Sequence, residues 1–171
     1  MARDATDLAP WVALLRDAVA DGASVGFVRP LTAAAAARYW VAVMADVNSG
    51  SRVLLSARVD GDLAGSVQLD CPDKPNAAHR AEVQKLLVLR RFRRRGVGRA
   101  LLGGIEAIAA SIGRPLLVLD TRRGDPAEAL YRAAGYTFAG SIPGYAANPD
   151  GGLAANAIFF KQLGADPRHN P

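Results

Sequence analysis

The chain is poor in the residues that build disulfides and metal sites. It has one cysteine, Cys71, and two histidines among 171 residues. A single cysteine excludes an intramolecular disulfide, which is typical of proteins from a reducing cytoplasm. The histidines and the cysteine form no recognisable pattern of metal ligands. We therefore expect a metal-free protein whose stability comes from a hydrophobic core.

Long hydrophobic runs are also absent. The alanine run 33–37 is followed by Arg38 and is too short to span a bilayer, and the first residues lack the layout of a signal peptide. We expect a cytoplasmic protein with no membrane partner. Without an internal repeat or a low-complexity linker, the sequence predicts one domain over residues 1–164, followed by a flexible tail over 165–171.

Arginine, by contrast, is concentrated in one place. The net charge is +5, and the stretch 90–99 alone contains Arg90, Arg91, Arg93, Arg94, Arg95 and Arg99. Such a block indicates a polyanionic partner, either a group of nucleotide phosphates or a nucleic-acid backbone. The alternative is a solvated arginine face. Few aromatic residues stand within the block, which argues against a nucleic-acid partner.

Hydrophobic periodicity predicts a mixed α/β domain. Helical spacing predicts a first helix capped by Asp7 and a second helix from a cap at Thr32 to about Val47. Later helices are predicted over 97–112 and 127–134, and strands over 53–59, 63–69, 81–89, 116–119, 136–139 and 157–161. This order predicts one sheet covered by helices.

Gly96 and Gly98 stand between the arginine block and a predicted helix, shortly after a strand that ends at Leu89. Free N–H groups at a helix N-terminus bind anions, and the helix dipole strengthens that binding. Glycine allows a pyrophosphate to approach these amides, and arginine adds charge-assisted hydrogen bonds. The third glycine of the dinucleotide fingerprint and the Lys-Ser/Thr pair of a P-loop are both missing. The turn therefore predicts a different kind of pyrophosphate site.

Two motifs in this order resemble those of the GNAT superfamily of N-acetyltransferases. The first is Arg-x-x-Gly-x-Gly at 93–98, and the second is Ala-Leu-Tyr-Arg-Ala-Ala-Gly-Tyr at 129–136. The resemblance implies the GNAT fold, an α/β (α+β) domain with one mixed central sheet, about four flanking helices and strands that splay at an acetyl-CoA site. It assigns acetyl-CoA binding to Leu86, Leu87, Val88, Arg93, Arg94, Arg95, Gly96, Val97, Gly98 and Arg99.

Within that superfamily, the chain is most similar to the tabtoxin-resistance acetyltransferases. The matching segments are 22–27, 80–86, 119–121, 127–129, 143–145, 149–151 and 160–164. The resemblance implies an acceptor amine on a small amino-acid-like molecule or toxin, and hence a part in antibiotic or toxin resistance. It also makes the loops around Phe27 and Tyr145 candidate parts of the substrate pocket.

Acetyl transfer needs a group that removes the proton of an alkylamine, whose pKa is about 10.4. Even spacing on the predicted strand would place Glu82, Gln84, Leu86 and Val88 on one face, so that Glu82 and Gln84 look toward the substrate. The tabtoxin-resistance resemblance implies a base at Glu82 and a substrate anchor at Asp120, which ends a buried strand. The alternatives are an ion pair of Glu82 with Lys85 or Arg80, and a structural role for Asp120.

The GNAT resemblance implies further that Tyr131 protonates the departing thiolate, with aromatic packing as the alternative. We expect the Val88 N–H to meet the thioester oxyanion. Many GNAT members carry an asparagine after the strand that ends here at Asp120. In this sequence the loop is Thr-Arg-Arg-Gly-Asp at 121–125, so Arg122 and Arg123 would face a ligand or solvent.

The leading hypothesis is direct attack of the amine on acetyl-CoA within a ternary complex, because no cysteine or serine is placed to act as a nucleophile. The alternatives are a protein or peptide N-acetyltransferase and, from another class, a non-catalytic CoA- or nucleic-acid-binding module. Both a monomer and a homodimer are compatible with the sequence.

Overall fold

The computed structural model describes residues 7–148 and 151–164. Four helices are present, α1 Ala9–Ala20, α2 Ala33–Ser49, α3 Val97–Ser111 and α4 Pro126–Ala133. The strands are β1 Arg52–Val59, β2 Asp62–Asp70, β3 Arg80–Val88, β4 Leu116–Arg122, β5 Thr137–Gly140, β6 Ala146–Ala147, β7 Leu153–Ala154 and β8 Asn156–Gln162. A six-stranded mixed sheet has the order β1-β2-β3-β4-β8-β5, and β6 and β7 form a separate pair.

The predicted elements are confirmed, with differences at their ends. Thr32 caps α2 by accepting a hydrogen bond from the Ala35 N–H at 3.1 Å. Asp7 accepts from the Ala9 N–H at 2.9 Å, but the capping position itself belongs to Leu8. The small β6–β7 pair was not predicted, since two-residue strands leave no periodicity to detect. The predicted tail 165–171 lies outside the described residues.

Two hydrophobic cores cover the two faces of the sheet. The α3/α4 face contains Leu101, Ile105, Leu117, Leu119 and Phe159 among its most buried side chains. The α1/α2 face contains Trp11 and Trp40, whose ring centroids lie 4.8 Å apart, together with Leu14, Leu15 and Leu87. Both tryptophans are therefore core residues. No helix in the described part of the chain is long and apolar enough to cross a membrane.

The parallel strands β3 and β4 separate shortly after they meet. They pair at Arg80–Leu116, Ala81–Leu117 and Glu82–Val118, and the ladder ends there. Beyond Glu82, the edge of β3 that faces β4 has no strand partner among the described residues. This gap between the strands confirms the splayed sheet of the GNAT fold.

A β-bulge in β3 corrects the prediction that even-numbered residues share one face. Gln84 pairs with Gln68, but Leu87 pairs with Ser66, so both Lys85 and Leu86 lie opposite Val67. Lys85 takes a positive φ of 50° at this point. The extra residue reverses the alternation. Glu82 and Gln84 therefore face α1 and α2, whereas Leu86 and Val88 pack against the α3/α4 core.

Candidate active site

The arginine-rich turn presents a row of unpaired backbone donors. Gly96, with φ of 80°, caps α3, and the first bond of the helix runs from the Ala100 N–H to the Gly96 carbonyl at 3.0 Å. Within the described ranges, no N–H of residues 94–99 has an acceptor. Arg94 also has a positive φ, 62°. Consecutive free amides beside a helix N-terminus form a concave anion site.

Two arginines of the block, Arg90 and Arg93, are held by aspartates of the first helix and its C-terminal end. Arg90 donates to the Asp17 carboxylate from its backbone at 3.0 Å and from its Nε at 2.8 Å. Arg93 pairs with Asp21 and donates from its Nε to the Val88 carbonyl at 3.2 Å. These contacts tie the turn to the C-terminal end of α1. The Arg93 side chain is thus occupied within the protein, although sequence reasoning assigned it to the cofactor.

One of the other four arginines of the block also has an aspartate partner. Arg91 pairs with Asp62 at 2.8 Å. Arg94, Arg95 and Arg99 are exposed and make no ion pair with any residue that the structure describes. Arg95 lies over the Phe92 ring at 5.8 Å. The charge available to an anion at this turn therefore comes from these three guanidinium groups.

Gly98 lies where the turn meets the gap between β3 and β4. A Cβ placed on Gly98 would stand 3.5 Å from Leu130 Cδ2 on α4 and 3.8 Å from Val88 Cγ2 on β3. The first turn of α3 thus faces the free edge of β3 on one side and α4 on the other.

The predicted carboxylates lie together on the α1/α2 face. Glu82 is in register with Val118, and Asp120 follows two residues later on β4, so both side chains point to the same side. The Glu82 Oε1 accepts from Gln84 Nε2 at 2.9 Å, and Asp120 Oδ2 accepts from Asn156 Nδ2 at 3.4 Å. Glu82 makes no ion pair with any described residue, and the predicted alternative of an ion pair with Lys85 or Arg80 is not formed.

Sequence reasoning did not place the Lys85 side chain on the same face as Glu82 and Asp120. Burial lowers the pKa of Lys85, Arg52 lowers it further, and Glu82 and Asp120 act in the opposite direction. Its Nζ is 3.7 Å from the position of a Cβ on Gly26, in the loop between α1 and α2. Only the bulge turns this side chain toward the carboxylates, and the sequence contains no glycine that would have signalled a bulge there.

The loops around Phe27 and Tyr145 border the same face. Tyr145, Ser24, Asp120 and Asn156 line a small common pocket. Phe27 packs edge-on against the Tyr39 ring, with centroids 5.3 Å apart. Both predicted substrate loops therefore lie on the side of the sheet that carries the carboxylates.

The two arginines after Asp120 are occupied within the protein. Arg122 pairs with Asp125 at 2.6 Å and donates to Asn148 at 3.2 Å. Arg123 lies over the Phe138 ring at 4.7 Å. In the part of the chain that the structure describes, no group of three or more His, Cys, Asp or Glu is arranged to hold a metal ion.

Tyr131 approaches from the opposite face of the sheet. Its ring packs 6.0 Å from that of Phe159 and 5.9 Å from that of Tyr136. Burial raises the pKa of Tyr131 to about 12, and the nearby charges of Asp120 and Asp125 contribute to the increase. The hydroxyl is therefore protonated at neutral pH. It combines the packing role with the capacity to donate a proton.

The wild-type protein is expected to lose stability at alkaline pH as Tyr131 ionises, and Tyr131→Phe is expected to lack this loss. The folded state favours the neutral phenol, so this stabilisation is complete below pH 10 and disappears as the pH rises toward the folded pKa of about 12. A two-unit shift corresponds to about 3 kcal/mol. Urea unfolding of both proteins between neutral pH and pH 11.5 measures the difference. Tyr136 is present in both proteins, so its contribution to the pH dependence cancels in the difference. Parallel curves of unfolding free energy against pH for the two proteins would contradict the prediction.

The fold, with its gap between β3 and β4, points to one class of protein, and a comparison of the sequence with known protein families agrees. The sequence profile of the Acetyltransferase (GNAT) family matches residues 26–136, more than half of the chain. The chain belongs to this family.

Individual proteins resemble the chain to different degrees. An uncharacterised N-acetyltransferase from the hisH-hisA intergenic region of Azospirillum brasilense is 35% identical over 108 residues, and the match spans 62% of this chain and 62% of that protein. The crystal structure of an N-acetyltransferase from Staphylococcus aureus Mu50 has a TM-score of 0.78 at 17% identity and covers 92% of this chain and 93% of its own. The yncA protein of Salmonella typhimurium, solved with its cofactor acetyl-CoA, has a TM-score of 0.74 at 18% identity, with coverage of 94% and 89%. At such identities the solved structures establish the fold.

Proposed function

We propose that this protein transfers an acetyl group from acetyl-CoA to a primary amine of a small amino-acid-like molecule. The observation that supports this most directly is the gap between β3 and β4. Near the turn before α3 lie backbone amides and three arginine side chains for which the described residues supply no partner, and two carboxylates lie on the α1/α2 face of the sheet. A donor and an acceptor could therefore enter from different sides and meet between the strands.

On the donor side, the residues present fit a pyrophosphate with an extended arm. The N–H groups of residues 94–99 and the side chains of Arg94, Arg95 and Arg99 would hold the phosphates. The edge of β3 at Leu86–Val88 has no strand partner among the described residues, although the Val88 carbonyl accepts from Arg93. This edge would bind the pantetheine. Acetyl-CoA would supply an activated acyl group at this edge, and the Val88 N–H would stabilise the oxyanion.

On the acceptor side, we assign Glu82 as the base and Asp120 as the anchor of the ammonium group. Glu82 has one carboxylate oxygen occupied by Gln84 and the other without a partner in the described ranges. An amine deprotonated there attacks directly, without a covalent acetyl-enzyme. Cys71, the only cysteine, is buried. Tyr131 would protonate the leaving thiolate from the other face.

Calorimetric titration with acetyl-CoA tests the donor half of the proposal. Arg95→Gln and Arg99→Gln are each expected to weaken binding roughly tenfold, since each removes one charge-assisted hydrogen bond. Arg91→Gln is the matched control, because Arg91 is already paired with Asp62. Both effects should shrink at high salt. If the wild-type protein does not bind acetyl-CoA, the proposed function is wrong.

A thiol-release assay tests the acceptor half. The panel contains free amino acids, aminoglycosides and peptides with free N-termini. We expect turnover with amino acids or their close analogues, since the pocket at Asp120 is small. Activity on peptides alone would identify a peptide N-acetyltransferase on the same scaffold.

A further inference from the structure

A chain of side-chain hydrogen bonds crosses three strands and ends on Glu82. Arg52 on β1 donates from Nη1 to Gln68 Oε1 at 2.9 Å and to Gln84 Oε1 at 3.2 Å. Gln84 in turn donates from Nε2 to Glu82 Oε1 at 2.9 Å. Gln68 and Gln84 are direct cross-strand neighbours, which places the contacts on one face of the sheet.

The chemistry of the partners dictates which way the Gln84 amide points. A guanidinium group can only donate, and an ionised carboxylate can only accept. Gln84 must therefore present its oxygen to Arg52 and its NH₂ group to Glu82. The reverse orientation would break both hydrogen bonds at once.

Arg52 is itself held firmly. Its Nε pairs with Asp46 at 3.2 Å and its Nη2 with Asp70 at 3.4 Å, and the side chain is only 16% exposed. Gln68 is fully buried, and its Oε1 also accepts a hydrogen bond from the Tyr39 hydroxyl at 3.0 Å. A shielded network in which several donors share fixed acceptors holds its members in one geometry.

We propose that Gln84 and Arg52 are positioning residues for the base. Arg52 orients the amide of Gln84, and that amide holds one oxygen of Glu82 so that the other oxygen faces the acceptor amine. This inference rests on the proposed function, in which Glu82 is the base. It gives Gln84 a different part from the direct substrate contact that the sequence indicated.

Two substitutions of Gln84 separate positioning from the other roles. Gln84→Glu keeps an acceptor for Arg52 but replaces the donor to Glu82 with a second oxygen. Gln84→Met is neutral and of similar length, and it removes both hydrogen bonds. For both variants we expect kcat to fall about 10- to 100-fold, with the KM values for acetyl-CoA and for the best acceptor of the panel nearly unchanged. Gln162→Glu adds the same charge at an exposed position at the end of β8, opposite the start of β4, and should leave kcat unchanged.

The outcomes distinguish the possibilities. If Gln84→Glu retains kcat while Gln84→Met is destabilised in thermal unfolding, Gln84 serves only the sheet and the inference is wrong. If the acceptor KM rises while kcat is kept, Gln84 contacts the substrate, which also overturns the inference. Glu82→Gln is measured alongside, and full turnover of that variant would show that the base assignment has failed. If the wild-type protein acetylates no amine of the panel, the proposed function fails and the inference fails with it.

Discussion

Glu82→Gln is expected to lower kcat by about 10²- to 10⁴-fold, which is the usual contribution of a positioned general base. The amide that replaces the carboxylate has nearly the same shape but cannot accept the proton of an alkylammonium group. The fold should persist, since Glu82 makes a single hydrogen bond, to Gln84, within the described residues. Steady-state kinetics and calorimetry should show reduced turnover with unchanged affinity for acetyl-CoA.

Two matched substitutions make this result specific. Asp120→Asn removes the second carboxylate and should mainly raise the acceptor KM if Asp120 anchors the ammonium group. Asp62→Asn changes an exposed carboxylate at the start of β2 and should leave both constants unchanged. Full turnover of Glu82→Gln combined with loss of kcat in Asp120→Asn would exchange the two roles.

Gly98→Val is expected to reduce acetyl-CoA affinity by at least about 100-fold, a loss of roughly 3 kcal/mol. A Cβ at Gly98 would fit at ordinary contact distance from Leu130 and Val88. The two methyl groups of valine would add further bulk beside these side chains of α4 and β3. They would keep a ligand away from the free amides of the turn. The backbone of Gly98 has no positive φ, so the variant should fold.

Gly103→Val is the control for this experiment. It places the same side chain on the same helix at an exposed position, where nothing lies within 4 Å of the added Cβ. Its acetyl-CoA affinity, measured by the same titration, should match that of the wild-type protein. If Gly98→Val binds acetyl-CoA as the wild-type protein does, the ligand does not pass between α4 and β3.

Local patterns predicted much of this protein. The glycines after a strand and before an amphipathic helix identified the turn at residues 93–98, because both the free amides and the access to them are properties of a few consecutive residues. Periodicity located the helices and the long strands. Strand β4 was predicted too short, since its polar end, Asp120–Arg122, pairs with β8 through backbone hydrogen bonds that hydrophobicity does not report.

The faces of β3 could not be predicted in the same way. Alternation placed Glu82, Gln84, Leu86 and Val88 together, but the bulge at Lys85 divides them. A bulge depends on how two strands meet, and nothing in the residues of β3 alone shows it. Its result is that Glu82 lies on the α1/α2 face of the sheet and Val88 on the α3/α4 face.

By itself, the sequence determined the α/β layout and the glycine-containing turn before α3, since both follow from the spacing of apolar residues and glycines along the chain. The tertiary structure decided which charged groups are available. Asp17, Asp21 and Asp62 take up Arg90, Arg93 and Arg91 across long stretches of chain. Arg52 reaches Glu82 only through Gln84, over three strands. Such partners are chosen by strand register and helix packing, which bring together residues that no local pattern connects.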